Sequence, residues 1–161
     1  MKQRVLIALA FLLEPELVIL DEPTSALDVV TQAEVLRAIK EIKARYNTTM
    51  IFITHDISLM PSIADEVAVM YAGKIVEVGP VKDVLYNPSH PYVSALISST
   101  PSLYVDPAKV RPIAGEPPSP FEEISGCPFW PRCPYAMDVC KVEEPSAAAV
   151  GNKIVRCFLF K

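Results

Sequence analysis

Residues 17–28 read Leu-Val-Ile-Leu-Asp-Glu-Pro-Thr-Ser-Ala-Leu-Asp, and this stretch decides the fold. Four apolar residues that end in two carboxylates, Asp21 and Glu22, indicate a buried strand with acids at its carboxyl end. A second strand pattern, residues 49–54, ends just before His55. Ligands of open α/β sheets bind beyond the carboxyl ends of the strands. The pattern therefore predicts an α/β fold in which two acids and an imidazole meet at one edge, which suits magnesium-assisted phosphoryl transfer.

Helical and strand patterns alternate through the first 79 residues. The predicted helices are about 2–13, 29–45 and 58–63, and the predicted strands are 17–20, 49–54, 66–71 and 74–78. The last two strands flank Gly73 and are interpreted as a hairpin. We expect a sheet covered by helices, with one edge unprotected.

The composition changes after Gly79-Pro80, where most of the sixteen prolines begin to appear. Residues 81–86 and 93–99 are predicted to be short helices, and residues 112–120 an extended arm. The chain is accordingly divided into an α/β part, residues 1–79, and a Pro-rich extension, residues 80–161.

Composition and charge narrow the class of protein. The chain has 161 residues, 51% of them hydrophobic, and a net charge of −4. The absence of a basic cluster argues against nucleic acid as the main partner. Lys2 and Arg4 precede an apolar run, as in a signal peptide. The run is too short to span a bilayer. A buried helix that ends before Pro15 is a better explanation of this run. We expect a soluble, cytoplasmic protein.

The string from Leu17 to Asp28 resembles the Walker B motif and D-loop of ABC-type ATPases, and residues 53–56 resemble their switch-histidine segment. The resemblance implies that Asp21 holds Mg²⁺ through water and that Glu22 orients or deprotonates the attacking water. It also implies that His55 contacts the γ-phosphate and that Ser25 and Asp28 reach toward the partner subunit's nucleotide. From the residues alone, Asp28 is equally well placed as a helix N-cap.

Other motifs of that family are absent from the 161 residues. Residues 1–5 match the segment after the Leu-Ser-Gly-Gly signature, but the signature, the glutamine loop and the phosphate-binding G-x-x-x-x-G-K-[ST] loop are missing. The resemblance therefore implies the C-terminal half of a nucleotide-binding subunit. We expect this half alone not to hydrolyse ATP, because no backbone nest or lysine holds the phosphates.

Four cysteines occupy the last 35 residues: Cys127, Cys133, Cys140 and Cys157. Their position in a Pro-rich tail predicts cysteines that avoid the core and cross-link a segment with little core of its own. An iron–sulfur cluster, zinc and disulfides all remain open; zinc sites usually have closer cysteine pairs, and a cytosolic location disfavours disulfides. Phe129 and Trp130 are expected to pack around the site, and His90 to make a loop hydrogen bond, with ligation a minor alternative.

His90-Pro91-Tyr92, Gly126-Cys127-Pro128-Phe129 and Arg132-Cys133-Pro134 resemble the C-terminal extension of oligopeptide and dipeptide importer ATPases. The resemblance implies a structural [4Fe–4S] cluster on the four cysteines in some members. It also implies ATP and Mg²⁺ as cofactors, and a second ATPase subunit, membrane permease subunits and, indirectly, an extracytoplasmic peptide-binding protein as partners. The expected location is the inner face of the cell membrane. Nickel and certain sugars are alternative substrates among close relatives.

The sequence is also compatible with two rival hypotheses. The first is a non-enzymatic regulatory or structural module that acts through a Cys₄ iron–sulfur or zinc site. The second, weaker rival is a secreted disulfide protein, which requires cleavage of the N-terminal apolar segment.

Overall fold

The computed structural model describes residues 2–25, 27–100, 113–119, 121 and 124–161. The chain forms two compact units, Met1–Ile63 and Ala64–Lys161. This division falls before the compositional change at residue 79, because the hairpin of residues 66–80 pairs with strands of the tail. The assignment of ATPase core and extension to 1–79 and 80–161 stays a prediction.

The first unit contains two parallel strands and their helices. Its elements are α1 (Lys2–Phe11), β1 (Leu17–Asp21), α2 (Val29–Tyr46), β2 (Thr49–Ile53), a 3₁₀ turn (Ile57–Leu59) and α3 (Met60–Ile63). β1 and β2 pair in parallel with Leu17 opposite Thr49 and Asp21 opposite Ile53. The predicted elements of this unit are confirmed within two residues, except that the predicted 58–63 helix begins as the 3₁₀ turn.

Residues of β1 alternate between two faces of the sheet. Val18 and Leu20 are buried and join one apolar cluster with residues of both helices, namely Ile7, Phe11, Val35 and Ile39. The opposite face is exposed and carries Leu17, Ile19, Ile51 and Ile53. Helices therefore cover only one face of this sheet. Parallel sheets usually have both faces covered.

Helix α2 begins and ends at residues that satisfy its free backbone groups. Asp28 is the N-cap, and its side chain accepts hydrogen bonds from the backbone N–H groups of Val30 and Thr31. Asn47 ends the helix in the left-handed conformation, which asparagine tolerates well. The buried residues of α2 are Val35, Leu36 and Ile39, whereas Val30 in its first turn is exposed.

The second unit is built on a four-stranded antiparallel sheet in the order β3-β4-β6-β5. Its elements are β3 (Glu66–Tyr71), β4 (Lys74–Pro80), α4 (Val81–Tyr86), α5 (Pro91–Ser99), a 3₁₀ turn (Trp130–Arg132), α6 (Asp138–Val142), β5 (Ala147–Val150), β6 (Lys153–Arg156) and a 3₁₀ turn (Phe158–Phe160). The hairpin at Gly73 and the helices 81–86 and 93–99 are confirmed. Residues 113–119 of the predicted arm have no helix or strand, and its ends, residues 112 and 120, lie outside the described residues.

The tail contributes to the core of the second unit. Cys127, Phe129 and Cys140 are buried in the same cluster as Val76, Val84 and other residues of the hairpin and helices. The prediction that the cysteines avoid the core is therefore wrong. Strands β5 and β6 were not predicted, and β6 joins the tail to β4 by pairing Val155 with Glu77.

Candidate functional site

The carboxyl ends of β1 and β2 lie side by side in the first unit. Their parallel register places Asp21 opposite Ile53, and the backbone N–H of Glu22 donates to the carbonyl of Ile53 at 3.0 Å. This last bond extends the pairing by one residue beyond the strands. The residues that follow the two strands are consequently held next to each other.

The side chain of Glu22 contacts His55 twice. Its Oε1 atom accepts the backbone N–H of His55 at 3.1 Å and lies 2.8 Å from His55 Nδ1. Because an ionised carboxylate only accepts hydrogen bonds, Nδ1 carries the proton and Nε2 is left for another group. Glu22 also has a φ of 47°, a strained conformation for a residue with a side chain, of the kind that accumulates at functional sites.

The other carboxylate oxygen of Glu22, Oε2, is buried and has no hydrogen-bond partner within the described residues. A buried carboxylate oxygen without a partner is costly. A water molecule or hydrated cation would satisfy it, and Asp21, exposed at the end of β1, adds a second carboxylate there. These donors fit a hydrated Mg²⁺ ion.

His55 is an exposed histidine whose charge is stabilised by its neighbour. The hydrogen bond to Glu22, followed by the negative charge of that carboxylate, raises the pKa of His55 above its usual value of 6.5. The imidazole is therefore more easily protonated than a free histidine, and its Nε2 edge is available to a ligand.

Ser25 and Asp28 both make local hydrogen bonds. Ser25 donates its backbone N–H and its hydroxyl to the carbonyl of Glu22. Asp28 caps α2, and the hydrogen bonds from Thr31 lower the pKa of its carboxyl. A D-loop role for these two residues stays a prediction.

The four cysteines line one small cavity in the second unit. Aromatic and apolar side chains complete its wall, together with His90: Phe129, Trp130, Tyr135, Met137, Phe158 and Leu159. All four thiols are free. Burial, with smaller contributions from neighbouring cysteines, raises the pKa of the thiols of Cys127, Cys133 and Cys157.

The described side chains around this cavity do not form a metal site. Within the described part of the chain, no three His, Cys, Asp or Glu side chains lie close enough together to hold a metal ion. A tetrahedral zinc site, in which one ion contacts every ligand, is therefore not seen. The described residues thus contain no preformed metal site, and a metal group on the four cysteines stays a prediction.

Gly126 brings the first cysteine against α6. It has a φ of 76°, and a Cβ atom built on it would lie 2.4 Å from the carbonyl oxygen of Cys140. The backbone N–H of Cys127 donates to that same carbonyl at 2.9 Å. Only glycine permits this approach, which holds Cys127 and Cys140 at one cavity.

His90 is the N-cap of α5 and is 1% exposed. Its Nδ1 atom accepts the backbone N–H of Tyr92 at 3.1 Å, so the predicted local hydrogen bond is confirmed. Burial lowers the pKa of His90 to about 4. The ring is neutral at pH 7, with its proton on Nε2.

A buried ion pair holds the segment before α5, and sequence reasoning did not find it. Nζ of Lys153 lies 2.7 Å from Oε1 of Glu77, and the two side chains are 7% and 0% exposed. Lys153 also donates to Ser89 Oγ and to the carbonyl of Asn87. Glu77 accepts the backbone N–H groups of Ser89 and His90. A glutamate in an otherwise apolar strand, Val76-Glu77-Val78, is the only signal the sequence carries for this pair.

Two family descriptions match this chain. Residues 76–140 match "Oligopeptide/dipeptide transporter, C-terminal region", and residues 2–60 match "AAA domain, putative AbiEii toxin, Type IV TA system". Among the described residues no helix is long and apolar enough to cross a membrane.

Similar proteins cover the whole of this sequence. The dipeptide transport ATP-binding protein DppD of Caldanaerobacter subterraneus subsp. tengcongensis is 50% identical over 162 residues, which cover 100% of this chain and 50% of the relative. The oligopeptide transport ATP-binding protein OppD of Salmonella typhimurium is 44% identical over 98% of this chain and 47% of its own length. DppD of Bacillus subtilis is 45% identical over 99% of this chain and 48% of its own length. The chain spans about half the length of these relatives, and it is similar to the C-terminal half of these oligopeptide and dipeptide transport ATP-binding proteins.

Proposed function

We propose that this chain is the C-terminal half of the ATP-hydrolysing subunit of an ABC importer for oligopeptides or dipeptides. The observation that carries the proposal is the contact between Glu22 and His55 beside Asp21, at the adjoining ends of β1 and β2. The names of the most similar relatives, which are transport ATP-binding proteins, support the same function.

The contacts of Glu22 and His55 support the roles that we propose for them. Glu22 is the base, because its buried Oε2 is free to accept a hydrogen bond from the attacking water while Oε1 is held by His55. His55 would keep Glu22 in place through Nδ1, which leaves Nε2 to bind the terminal phosphate. Asp21 holds Mg²⁺ through water, and the ion, when bound, neutralises phosphate charge. Ser25 and Asp28 follow as D-loop residues.

The chain by itself is proposed to be inactive. It supplies the water-activating side of the site but no glycine-rich loop that binds the phosphates. In the longer protein, ATP would bind between two such subunits, which work on membrane permease subunits at the inner face of the cell membrane. An extracytoplasmic peptide-binding protein is an indirect partner, and no nucleic acid is involved.

The four cysteines are proposed to bind a structural [4Fe–4S] cluster. Support comes from the cavity that the four cysteines share, whose wall is otherwise mostly apolar and aromatic. Zinc is the alternative ligand. An anaerobic assay of iron, acid-labile sulfide and zinc in the purified chain separates the two.

The test of the ATPase assignment joins this chain to the N-terminal half of the Caldanaerobacter relative and compares the joined protein with two of its variants and with the unjoined chain. We expect the joined protein to hydrolyse ATP and its Glu22→Gln variant to lose at least about 10²-fold in rate, as when a general base is removed. The control is Glu16→Gln, which changes an exposed carboxylate at the other end of β1 and should leave the rate unchanged. The unjoined chain should show no hydrolysis above background. Turnover at the parent rate in Glu22→Gln would contradict the assignment.

A non-enzymatic module is the second candidate, and the compact second unit with its own core favours it. In that case the joined protein would show no ATP hydrolysis, whereas the isolated chain would still bind its metal group.

A further inference from the structure

The backbone of Glu22 has an unfavourable conformation. Its φ of 47° lies in the left-handed region, which a residue with a side chain rarely adopts. The next residue is Pro23, and the residue before a proline is normally extended. Without other contacts this backbone would relax, and the carboxylate of Glu22 would move with it. Contacts from the surrounding structure must therefore keep Glu22 in place.

Both backbone groups of Glu22 are hydrogen-bonded. Its N–H donates to the carbonyl of Ile53 at 3.0 Å, where β1 and β2 end. Its carbonyl accepts two hydrogen bonds from Ser25, one from the backbone N–H at 3.3 Å and one from the hydroxyl Oγ at 3.1 Å. The backbone bond is longer than the usual N–H···O distance of about 2.9–3.0 Å. The Ser25 hydroxyl therefore contributes a substantial part of the contact that closes this turn.

The middle of the same loop is attached to helix α2. Thr24 is 4% exposed, and its carbonyl accepts the backbone N–H of Leu27 at 3.2 Å. Its hydroxyl accepts from the side-chain amide of Gln32, on α2, at 3.4 Å. Ser25 is exposed, so its side chain fills no space in the core. The hydroxyl of Ser25 thus acts on the site through its hydrogen bond to Glu22.

We propose that Ser25 is a positioning residue whose hydroxyl holds the backbone of Glu22 and thereby keeps the Glu22 carboxylate on His55. Oε1 of that carboxylate meets two donors of His55, the backbone N–H at 3.1 Å and Nδ1 at 2.8 Å, so a small shift of Glu22 weakens both contacts. The hydrogen bond lies within one chain, and this role needs no partner subunit. The inference rests on the proposed function, because Ser25 acts through the proposed base.

Three variants of the full chain test this contact. Ser25→Ala removes the hydroxyl, and Ser25→Thr retains one. Ser62→Ala is the matched control, because exposed Ser62 also donates its hydroxyl to a carbonyl three residues earlier, that of Leu59 at 2.8 Å.

The readout is the tautomer of the neutral His55 ring, which nitrogen NMR of the labelled protein reports at a pH above the pKa of that imidazole. The contact with Glu22 places the proton on Nδ1, since the hydrogen bond that a ring makes sets its tautomer. We expect the Nδ1–H form in the parent, in Ser25→Thr and in Ser62→Ala, and a shift toward the Nε2–H form in Ser25→Ala. A general loss of stability would not change the tautomer of the folded protein.

Kinetics of the joined protein connect this contact to ATP hydrolysis. We expect Ser25→Ala to lower kcat about 2- to 10-fold with KM for ATP unchanged, as for one lost hydrogen bond that positions the base. Ser25→Thr should recover most of the parent kcat, and Ser62→Ala should leave it unchanged.

Two kinds of failure are distinguishable. An unchanged His55 tautomer or an unchanged kcat in Ser25→Ala, or a rise in KM in place of a fall in kcat, overturns the Ser25 inference while the proposed function stands. If the joined parent hydrolyses no ATP, the proposed function fails, and the role of Ser25 in hydrolysis fails with it.

Discussion

At the scale of single residues, the pair of Glu22 and His55 shows how a local pattern becomes a site. Each residue follows a strand, and parallel pairing brings them to 2.8 Å although 33 positions separate them. The apolar run before Asp21 and the one before His55 made this meeting predictable, because parallel strands end at one edge. The left-handed backbone of Glu22 was not predictable, since nothing in a Leu-Asp-Glu-Pro string requires it.

The first prediction concerns the pKa of His55. In Glu22→Gln we expect this pKa to fall toward 6.5, because the hydrogen bond and charge that raise it are weakened. NMR titration of the imidazole resonances measures it, and His90, with a pKa of about 4, does not titrate in the same range. Glu16→Gln is the control.

The sign of the corresponding effect on stability follows from the raised pKa. The contact of Glu22 and His55 contributes to folding fully below pH 6.5, the value in the unfolded chain, and its contribution is lost as the pH rises through the higher folded value. A His55 pKa that is the same in Glu22→Gln and in the parent would show that the two side chains do not interact in solution.

At the scale of elements, turns and caps were the parts best encoded locally. Ala72 and Gly73 both have positive φ in the two-residue turn between β3 and β4, as tight hairpins require. Asp28 caps α2 as its sequence position indicates. The strands β5 and β6 escaped prediction because Ala147–Val150 and Lys153–Arg156 are short and lack clear alternation. They become strands by pairing with the hairpin.

The second prediction compares two glycines that have nearly the same φ. Gly73→Ala should cost about 1–2 kcal/mol, which is the price of a positive φ for alanine, because nothing lies within 4 Å of the new Cβ. Gly126→Ala should cost about 2–5 kcal/mol, since its Cβ also meets the backbone of Cys140 and Lys141. Denaturant unfolding followed by the fluorescence of Trp130, the single tryptophan, reports on the unit that holds both sites. Equal losses in the two variants would mean that the close approach of Gly126 to α6 is absent.

At the scale of the whole molecule, the division into units differs from the division by composition. The proline-rich residues after Gly79 suggested a separate extension, yet the hairpin of β3 and β4 shares its sheet with β6 from the tail. Long-range strand pairing determines which segments belong to one unit, and amino-acid composition carries no information about that pairing. The same pairing brings Glu77 and Lys153 together across 76 positions.

The third prediction tests that buried pair. Glu77→Gln or Lys153→Met alone should destabilise the second unit by about 3–5 kcal/mol, because each leaves the opposite charge buried without its partner. The double variant Glu77→Gln, Lys153→Met should lose less than the sum of the two, since neither charge then remains. Trp130 fluorescence during denaturant unfolding measures all three. Strictly additive losses would show that the two side chains are not coupled.

The sequence by itself determined the resemblance to transporter ATPases, the order of most helices and strands in residues 2–100, and the meeting of Glu22 and His55. These depend on short-range patterns and on the rule that parallel strands end at one edge. Only the tertiary structure decided that the tail forms part of a core, that Gly126 must be glycine, that Glu77 and Lys153 are buried together, and that His90 shares the cysteines' cavity. Each of these is a contact between segments far apart in the chain, and its free energy depends on burial that no local stretch of sequence specifies.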